Sequence, residues 1–457
     1  MLTRKTSKPY LPDSYIVRGN IINPKSDNKW QEFPDGVLWI ENKKIKFCDT
    51  YAKWQKTLHK MKNHKNSNNY CNNLDSIQEY HYGNHFIIPT FFDMHFHWVQ
   101  DHVSPKPKKN LLNWLNHFTF PAEKKFSSPE YSQKQASLFF KKLQKAGTFG
   151  GMIFSSIHEC ALESAYQKSL GDFVIGNVVM TQNSPAYLTQ SKKAALRLVQ
   201  KWAKLKQTKY AFTPRFAIAT DLQTMKEGGE LALKNNSFIQ THLSENKSEI
   251  NFVLSLYQNI FSRKNHLSKK NKPTYTGIYQ HANLLGPKSF FAHGIHLSDE
   301  ELKLLKKSHS NIVHCPTSNA PIKQNGLGSG LFPLDRINQS KINWALGSDI
   351  GAGPLLCMLD VIQSFLIQHK NHSQVVSMPM ALYRSTLAGA KLLNLSDETG
   401  NLDQGLNANF LIIKNNLKSK NENLSLIQCL EKNILSTKRS QLQTLIQHGY
   451  YHGQKIF

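Results

Sequence analysis

Residues 85–100 read HFIIPTFFDMHFHWVQ. An apolar run broken at Pro89 resumes and ends in His95-Phe96-His97. In a strand, residues i and i+2 lie on the same side, so both imidazoles point the same way, close enough to share one metal ion. An isolated His-x-His pair is also what two unrelated packing histidines look like. Its meaning depends on where the other histidines and acids of the chain fall.

Moving outward, seven further short apolar runs follow: TFGGMIFSSIH, FVIGNVVM, YAFTPRF, FIQTHLSE, FFAHG, NIVHCP and NWALGSD. Longer stretches with helical spacing and Ser-led starts separate them, such as SPEYSQKQASLFFKKLQKAG (128–147) and SDEELKLLKKS (298–308). Eight strands alternating with helices predict an α/β protein, a TIM (β/α)8 barrel. The stretch 255–285 is longer than a simple crossover and reads as an insertion over the top of the barrel.

Chemistry in such a barrel sits where the strands end, and here those ends are rich in His and acid. FIQTHLSE supplies His242 and, three residues on, Glu245; FFAHG supplies His293; NWALGSD supplies Asp349. His95, His97, His242 and Asp349 offer three neutral nitrogens and a carboxylate. That set suits zinc, with iron as the alternative, and leaves a position for a water whose pKa the metal lowers toward 7. Glu245 is placed to move a proton between that water and a substrate nitrogen. His293 reads as a supporting, oxyanion-stabilising donor, and Asp349 as both ligand and proton acceptor. The third and fourth runs contain no Lys to bridge a second ion, so the expectation is one metal per subunit.

The two ends of the chain have a different texture. SYIVRGNIIN (14–23) and GVLWIENKKIKFC (36–48) alternate apolar and polar residues, and GNLDQGLNANFLIIKNN (400–416) and HGQKIF (452–457) return to that pattern. A small β-sandwich domain built from both termini follows, with its N-terminal part at 1–86, the barrel at 87–398 and its C-terminal part at 399–457. The Lys/Asn-rich segment 56–75 reads as a loop or short helix.

Composition narrows the classes. Of 457 residues, 40% are hydrophobic and 19% charged, which describes a globular chain. No apolar run reaches the roughly 20 residues of a membrane span, and MLTRKTSKPYLPDSY lacks the apolar stretch of a signal peptide. Cys48, Cys71, Cys160, Cys315, Cys357 and Cys429 are scattered without CxxC spacing, as expected of free thiols in a cytoplasmic protein. The formal net charge of +26 comes from Lys spread along the whole chain beside Asn. No nucleic-acid-binding motif accompanies it, so neither nucleic acid nor membrane is expected as a partner.

These residues resemble the amidohydrolase superfamily and, within it, the guanine deaminases, over nearly the whole chain. PTFFDMHFHWVQ is similar to the first metal motif of those enzymes, and LLNWLNHFTFPAEKKF (111–126), TPRF, THLSENKSEI, AHGIHLSDEEL, VHCPTSNAPI, GLGSGLF and LGSDIGAG follow in the same order. The resemblance implies hydrolysis of guanine at C2 by a metal-activated water, giving xanthine and ammonia in purine catabolism. It implies that Glu245 protonates a ring nitrogen and then the leaving amine. Gln100 and Arg215 would contact the purine, Phe216 would flank it by stacking or serve the core, and Glu245 and His293 would also touch it. By analogy with related barrels it implies a homodimer. A sister enzyme acting on another amino-substituted heterocycle is the alternative. Departures from the pattern include Thr90 after Pro89, Val99 before Gln100, Phe-Gly-Gly at 149–151 and Asn409 where Asp is usual.

Overall fold

The structure, a computed structural model, describes residues 11–63, 77–108, 111–262, 273–417 and 423–457. Its strands, in chain order, begin with β1 (Ser14–Ser26), β2 (Lys29–Glu41), β3 (Lys44–Thr50) and β4 (Gln78–Pro89). There follow β5 (Phe91–His97), β6 (Thr148–Phe154), β7 (Asp172–Gly176), β8 (Val178–Val179), β9 (Ala211–Pro214), β10 (Phe238–Leu243), β11 (Ser289–His293), β12 (Asn311–His314) and β13 (Trp344–Leu346). The series ends with β14 (Phe410–Ile413), β15 (Ile446–Tyr451) and β16 (Gln454–Lys455). The chain divides into two compact units, one of Met1–Phe91, Gln144–Phe149 and Ser377–Phe457, the other of Phe92–Leu143 and Gly150–Val376.

In the first unit the two ends of the chain share one sheet, in the order β16-β15-β14-β4-β1-β2-β3. The alternation read from SYIVRGNIIN sorts its side chains. Tyr15, Val17 and Ile21 join Leu38, Ile87, Phe410, Ile412 and Tyr450 in one core, while Ile16 joins Val37 and Trp39 in another. Trp54, from the helix Tyr51–Asn63, closes this second core against Trp39 at 5.5 Å between ring centroids. That helix occupies the start of the segment read as loop or short helix; residues 64–76, Cys71 among them, lie outside the described residues. Asn409, the departure from Asp, donates to Thr399 Oγ1 at 2.9 Å and accepts the N–H of His452 at 2.7 Å.

In the second unit parallel strands run in the orders β5-β6-β7 and β8-β9-β10-β11-β12-β13. The run FVIGNVVM is one strand interrupted at Asn177: β7 pairs with β6, β8 pairs with β9, and a bridge from Ile175 to Tyr210 joins the two series. Counted this way the eight runs are eight barrel strands. The ring closes where Asp349 N–H donates to His95 O at 2.8 Å and Ser348 N–H donates to Asp93 Oδ1 at 2.8 Å. Helices cross between strands as the spacing predicts. SDEE at 298–301 forms a capping box, with Ser298 and Glu301 satisfying each other's backbone N–H groups at the start of Asp299–Lys307. The 255–285 stretch carries the end of the helix Lys247–Ser262 and the helix Tyr275–His281, with 263–272 outside the described residues.

The Phe-Gly-Gly departure has a steric cause. A β-carbon on Gly150 would stand 2.4 Å from the Phe92 ring, and one on Gly151, where φ is +136°, would stand 1.8 Å from Asp93 O. The first two barrel strands approach too closely for any side chain there. Gly151→Ala is expected to destabilise the barrel unit by about 2 kcal/mol or more. The readout is a lowered midpoint of thermal unfolding, and a midpoint equal to that of the unsubstituted protein would rule out this steric requirement.

Candidate metal centre and its pocket

Each residue singled out at a strand end reaches one place. His95 and His97 lie on β5 with ring centroids 5.1 Å apart. His242 is the penultimate residue of β10, His293 the last of β11, and Asp349 follows β13. His97 Nε2 and His242 Nε2 stand 3.1 Å apart, and Asp349 Oδ1 lies 3.3 Å from His95 Nε2 and 3.7 Å from His97 Nε2. One ligand atom from each of His95, His97, His242 and Asp349 falls within 4.8 Å of every other, a grouping that could hold a metal ion. Glu245, His293 and Asp349 form a second group by the same measure.

The chemistry of these atoms favours a cation among them. Burial holds His95, His97 and His242 well below the usual imidazole range, so all three are neutral and carry lone pairs. His242 Nδ1 sits 2.6 Å from Arg215 O. A carbonyl only accepts, so Nδ1 carries the proton and Nε2 the lone pair. His95 Nε2 and His293 Nε2 are buried without a hydrogen-bond partner among the described residues, an arrangement that costs free energy unless something binds there.

Two carboxyl groups stand beside this cluster. Burial raises Asp349 to about 6. Burial, and then the charge of Asp349, raise Glu245 to about 8, while the Ser329 hydroxyl donates to Glu245 Oε1 at 3.1 Å and offsets part of the rise. Glu245 Oε2 is 3.6 Å from His293 Nε2. The backbone is strained at these ends: φ is +48° at Ser244, +74° at His293 and +49° at Asp349. Left-handed conformations of non-glycine residues are sparse and cluster at functional sites. Here they turn the chain sharply just where the side chains converge.

A cavity opens against the cluster. His97, His242, Glu245 and Asp349 line its polar end, with Gln100, Arg215 and Glu249; Leu111, Trp114, Leu115, Phe216 and Ala352 form its apolar walls. His95 and His293, which complete the ligand groups, are not among its lining residues. All nine residues singled out in the sequence are therefore at or beside this cavity.

Three buried acids had no role in the sequence reading. Asp93 Oδ1 accepts the N–H groups of Ser348 at 2.8 Å and His95 at 3.3 Å. Glu123, within TFPAE, accepts from Gln100 Nε2 at 2.8 Å and from Arg215 Nη1 at 2.9 Å to each oxygen. Glu249 Oε2 accepts the N–H groups of Glu245 at 3.0 Å and Asn246 at 3.2 Å, and its Oε1 takes the Tyr275 hydroxyl at 2.9 Å. The quoted motifs contained all three. Their partners lie 23, 92 or 255 residues away in two cases, and no local period reports such pairings.

A sequence model of the amidohydrolase family matches residues 86–440. The guanine deaminase of Escherichia coli (strain K12) is 30% identical over 388 residues, covering 83% of this chain and 81% of that one. The guanine deaminase of Dictyostelium discoideum is 30% identical over 411 residues, covering 85% and 86%. Among solved structures, guanine deaminase from C. acetobutylicum, with guanine bound in its active site, superposes with a TM-score of 0.79 at 28% identity, covering 97% of this chain and 100% of that one.

Asp93→Ala leaves two buried N–H groups without an acceptor and is expected to cost about 2–3 kcal/mol. Asp93→Asn keeps an oxygen in place and should cost much less. Denaturant unfolding of both variants checks this, and equal losses would contradict it.

Proposed function

This chain belongs to the amidohydrolase family, with guanine deaminases as its relatives, and we propose that it hydrolyses guanine to xanthine and ammonia. The observation that carries the reading is the convergence of His95, His97, His242 and Asp349 at one end of a cavity that Gln100 and Arg215 also line. The family and the donor set fit a divalent ion held by those four residues. We assign one zinc per subunit, because three imidazole nitrogens and one carboxylate are ligands zinc favours, with iron as the alternative for the same set. When bound, the ion supplies Lewis acidity that brings the pKa of a water toward neutrality.

The remaining work belongs to side chains. Glu245, raised to about 8, holds and releases a proton close to neutral pH. Its carboxylate takes one proton from the attacking water and delivers it to N3 as the oxygen bonds to C2. As the C2–N bond breaks, Asp349 takes the second proton from that oxygen, and it passes through Glu245 to leave on the amine. Of the two water protons, one ends on N3 and the other on ammonia. His293 Nδ1 sits 3.0 Å from Asn319 Oδ1 and so carries the proton of the neutral ring. Its Nε2, buried and without a partner among the described residues, accepts in a hydrogen bond the hydroxyl proton of the oxygen that arrives at C2. Gln100 and Arg215 bind the purine edge, and Phe216, 5% exposed on the cavity wall, packs on its face.

No described helix is long and apolar enough to cross a membrane, and the five described cysteines are free. Free thiols suit the cytoplasm, where we place the enzyme. By analogy with related barrels we assign it a homodimeric state; no nucleic acid is invoked as a partner.

The test is ammonia release from guanine, set beside a panel of amino-substituted purines, pyrimidines and triazines. Guanine is expected to be the best substrate, with activity lost to a chelator and restored by zinc. Glu245→Gln is expected to lower kcat by roughly 10²–10⁴ while guanine still binds. A zinc-loaded protein that leaves guanine unchanged and deaminates another heterocycle would overturn the assignment.

A further inference from the structure

Gln100 and Arg215 share an anchor. Glu123 is fully buried, at 0% exposure, and accepts Gln100 Nε2 at Oε1 and Arg215 Nη1 at both oxygens, all between 2.8 and 2.9 Å. The anchor has a consequence for each partner. An amide can present either its oxygen or its nitrogen to a ligand, but a carboxylate takes only the nitrogen side. Gln100 is therefore held with Nε2 on Glu123, and Oε1 is left as its free acceptor. Arg215 places one nitrogen on the same carboxylate and keeps donors on the rest of its fork. The Phe120 ring, 5.0 Å from Arg215 Cζ, supports the guanidinium.

A second feature fixes the same amide. Gly351 has φ of +118°, and a β-carbon there would stand 2.6 Å from Gln100 Oε1 and 2.7 Å from Gln100 Cβ. The chain is pared to a hydrogen atom where the oxygen lies. Because Gln100 Nε2 and Arg215 Nη1 meet at one carboxylate oxygen, the acceptor of one and the donors of the other are neighbours on the cavity wall.

We propose that Glu123 is the specificity-determining residue of this pocket: by fixing Gln100 as an acceptor beside Arg215 as a donor, it selects purines with a lactam edge. This rests on the deaminase reading and deepens it. A lactam edge, ring N–H beside C=O, meets the pair donor to acceptor and acceptor to donor. An amidine edge, bare ring nitrogen beside an amino group, meets it acceptor to acceptor and donor to donor. Buried polar groups left facing their own kind are what let an enzyme reject a near-isostere strongly. With Gln100 free to turn over, the amide would serve either edge and the discrimination would fall. Glu123 is a positioning residue, since it touches the two side chains and not the reacting carbon.

Guanine and 2,6-diaminopurine both carry the reacting 2-amino group and differ at this edge. The test compares their kcat/KM in the unsubstituted enzyme and in Glu123→Gln. Guanine is expected to be favoured at first, and the ratio to fall by at least tenfold in the variant, with KM for guanine raised more than kcat is lowered. Glu123→Asp, which keeps the charge and withdraws it, is expected to lose a smaller share in the same direction, and supplies the measurement if Glu123→Gln does not fold. Calorimetric binding of hypoxanthine and adenine, which lack the 2-amino group, reads the same preference without turnover, and their Kd values should converge in the variants. A ratio within twofold of the original in a folded variant, both substrates having slowed alike, overturns the proposal and leaves the deaminase reading standing. An unsubstituted enzyme inert toward guanine overturns that reading and this inference with it.

Discussion

The barrel is closed by hydrogen bonds that belong equally to its active end. Asp93 Oδ1 gathers the N–H groups of His95 and Ser348, and the N–H of Asp349 donates to His95 O. These bonds tie the first barrel strand to the eighth. They also set the distance between His95 and His97 on one side and Asp349 on the other. Each contributes about 1 kcal/mol net, and an orphaned partner costs more. A change that opened the ring would therefore separate the ligand atoms, and folding of this unit and assembly of its site are one event.

Gathering those atoms is costly by itself. Three neutral imidazoles, Asp349 and Glu245 are all taken out of water, and burial alone moves each toward its uncharged form. The chain turns left-handed at Ser244, His293 and Asp349 to bring them together. A bound cation reverses the argument: lone pairs without donors become ligands, and a buried carboxylate becomes a counter-charge. The same dryness that makes gathering these groups costly strengthens every interaction with a substrate in the cavity.

Most of the barrel could be read from sequence because its strands are short, apolar and separated by helices with their own caps. The strand-end histidines could be read because a strand has a period of two and chemistry collects at one face of this fold. A β domain shared by both chain ends was likewise visible, as alternation in SYIVRGNIIN and as a continuous apolar β-run in NFLIIK. What stayed hidden depends on tertiary approach. Asn177 interrupts the third strand, yet as a single polar residue within FVIGNVVM it does not split the run into two. Asp93, Glu123 and Glu249 look like ordinary members of their motifs until the fold places Ser348, Arg215 and Tyr275 against them. Phe-Gly-Gly looked like a departure from a pattern, and only the approach of Asp93 O to Gly151 explains it.

The central claim is that four residues from three places in the chain, His95 and His97 on one strand with His242 and Asp349, hold a single catalytic ion. Metal analysis of dialysed protein tests it most directly, comparing the unsubstituted chain with one carrying both His97→Ala and Asp349→Ala. One divalent ion per chain is expected in the first and none in the second, with Glu245→Gln retaining its ion. Equal metal content in the doubly substituted protein, or two ions per chain in the unsubstituted one, would contradict it.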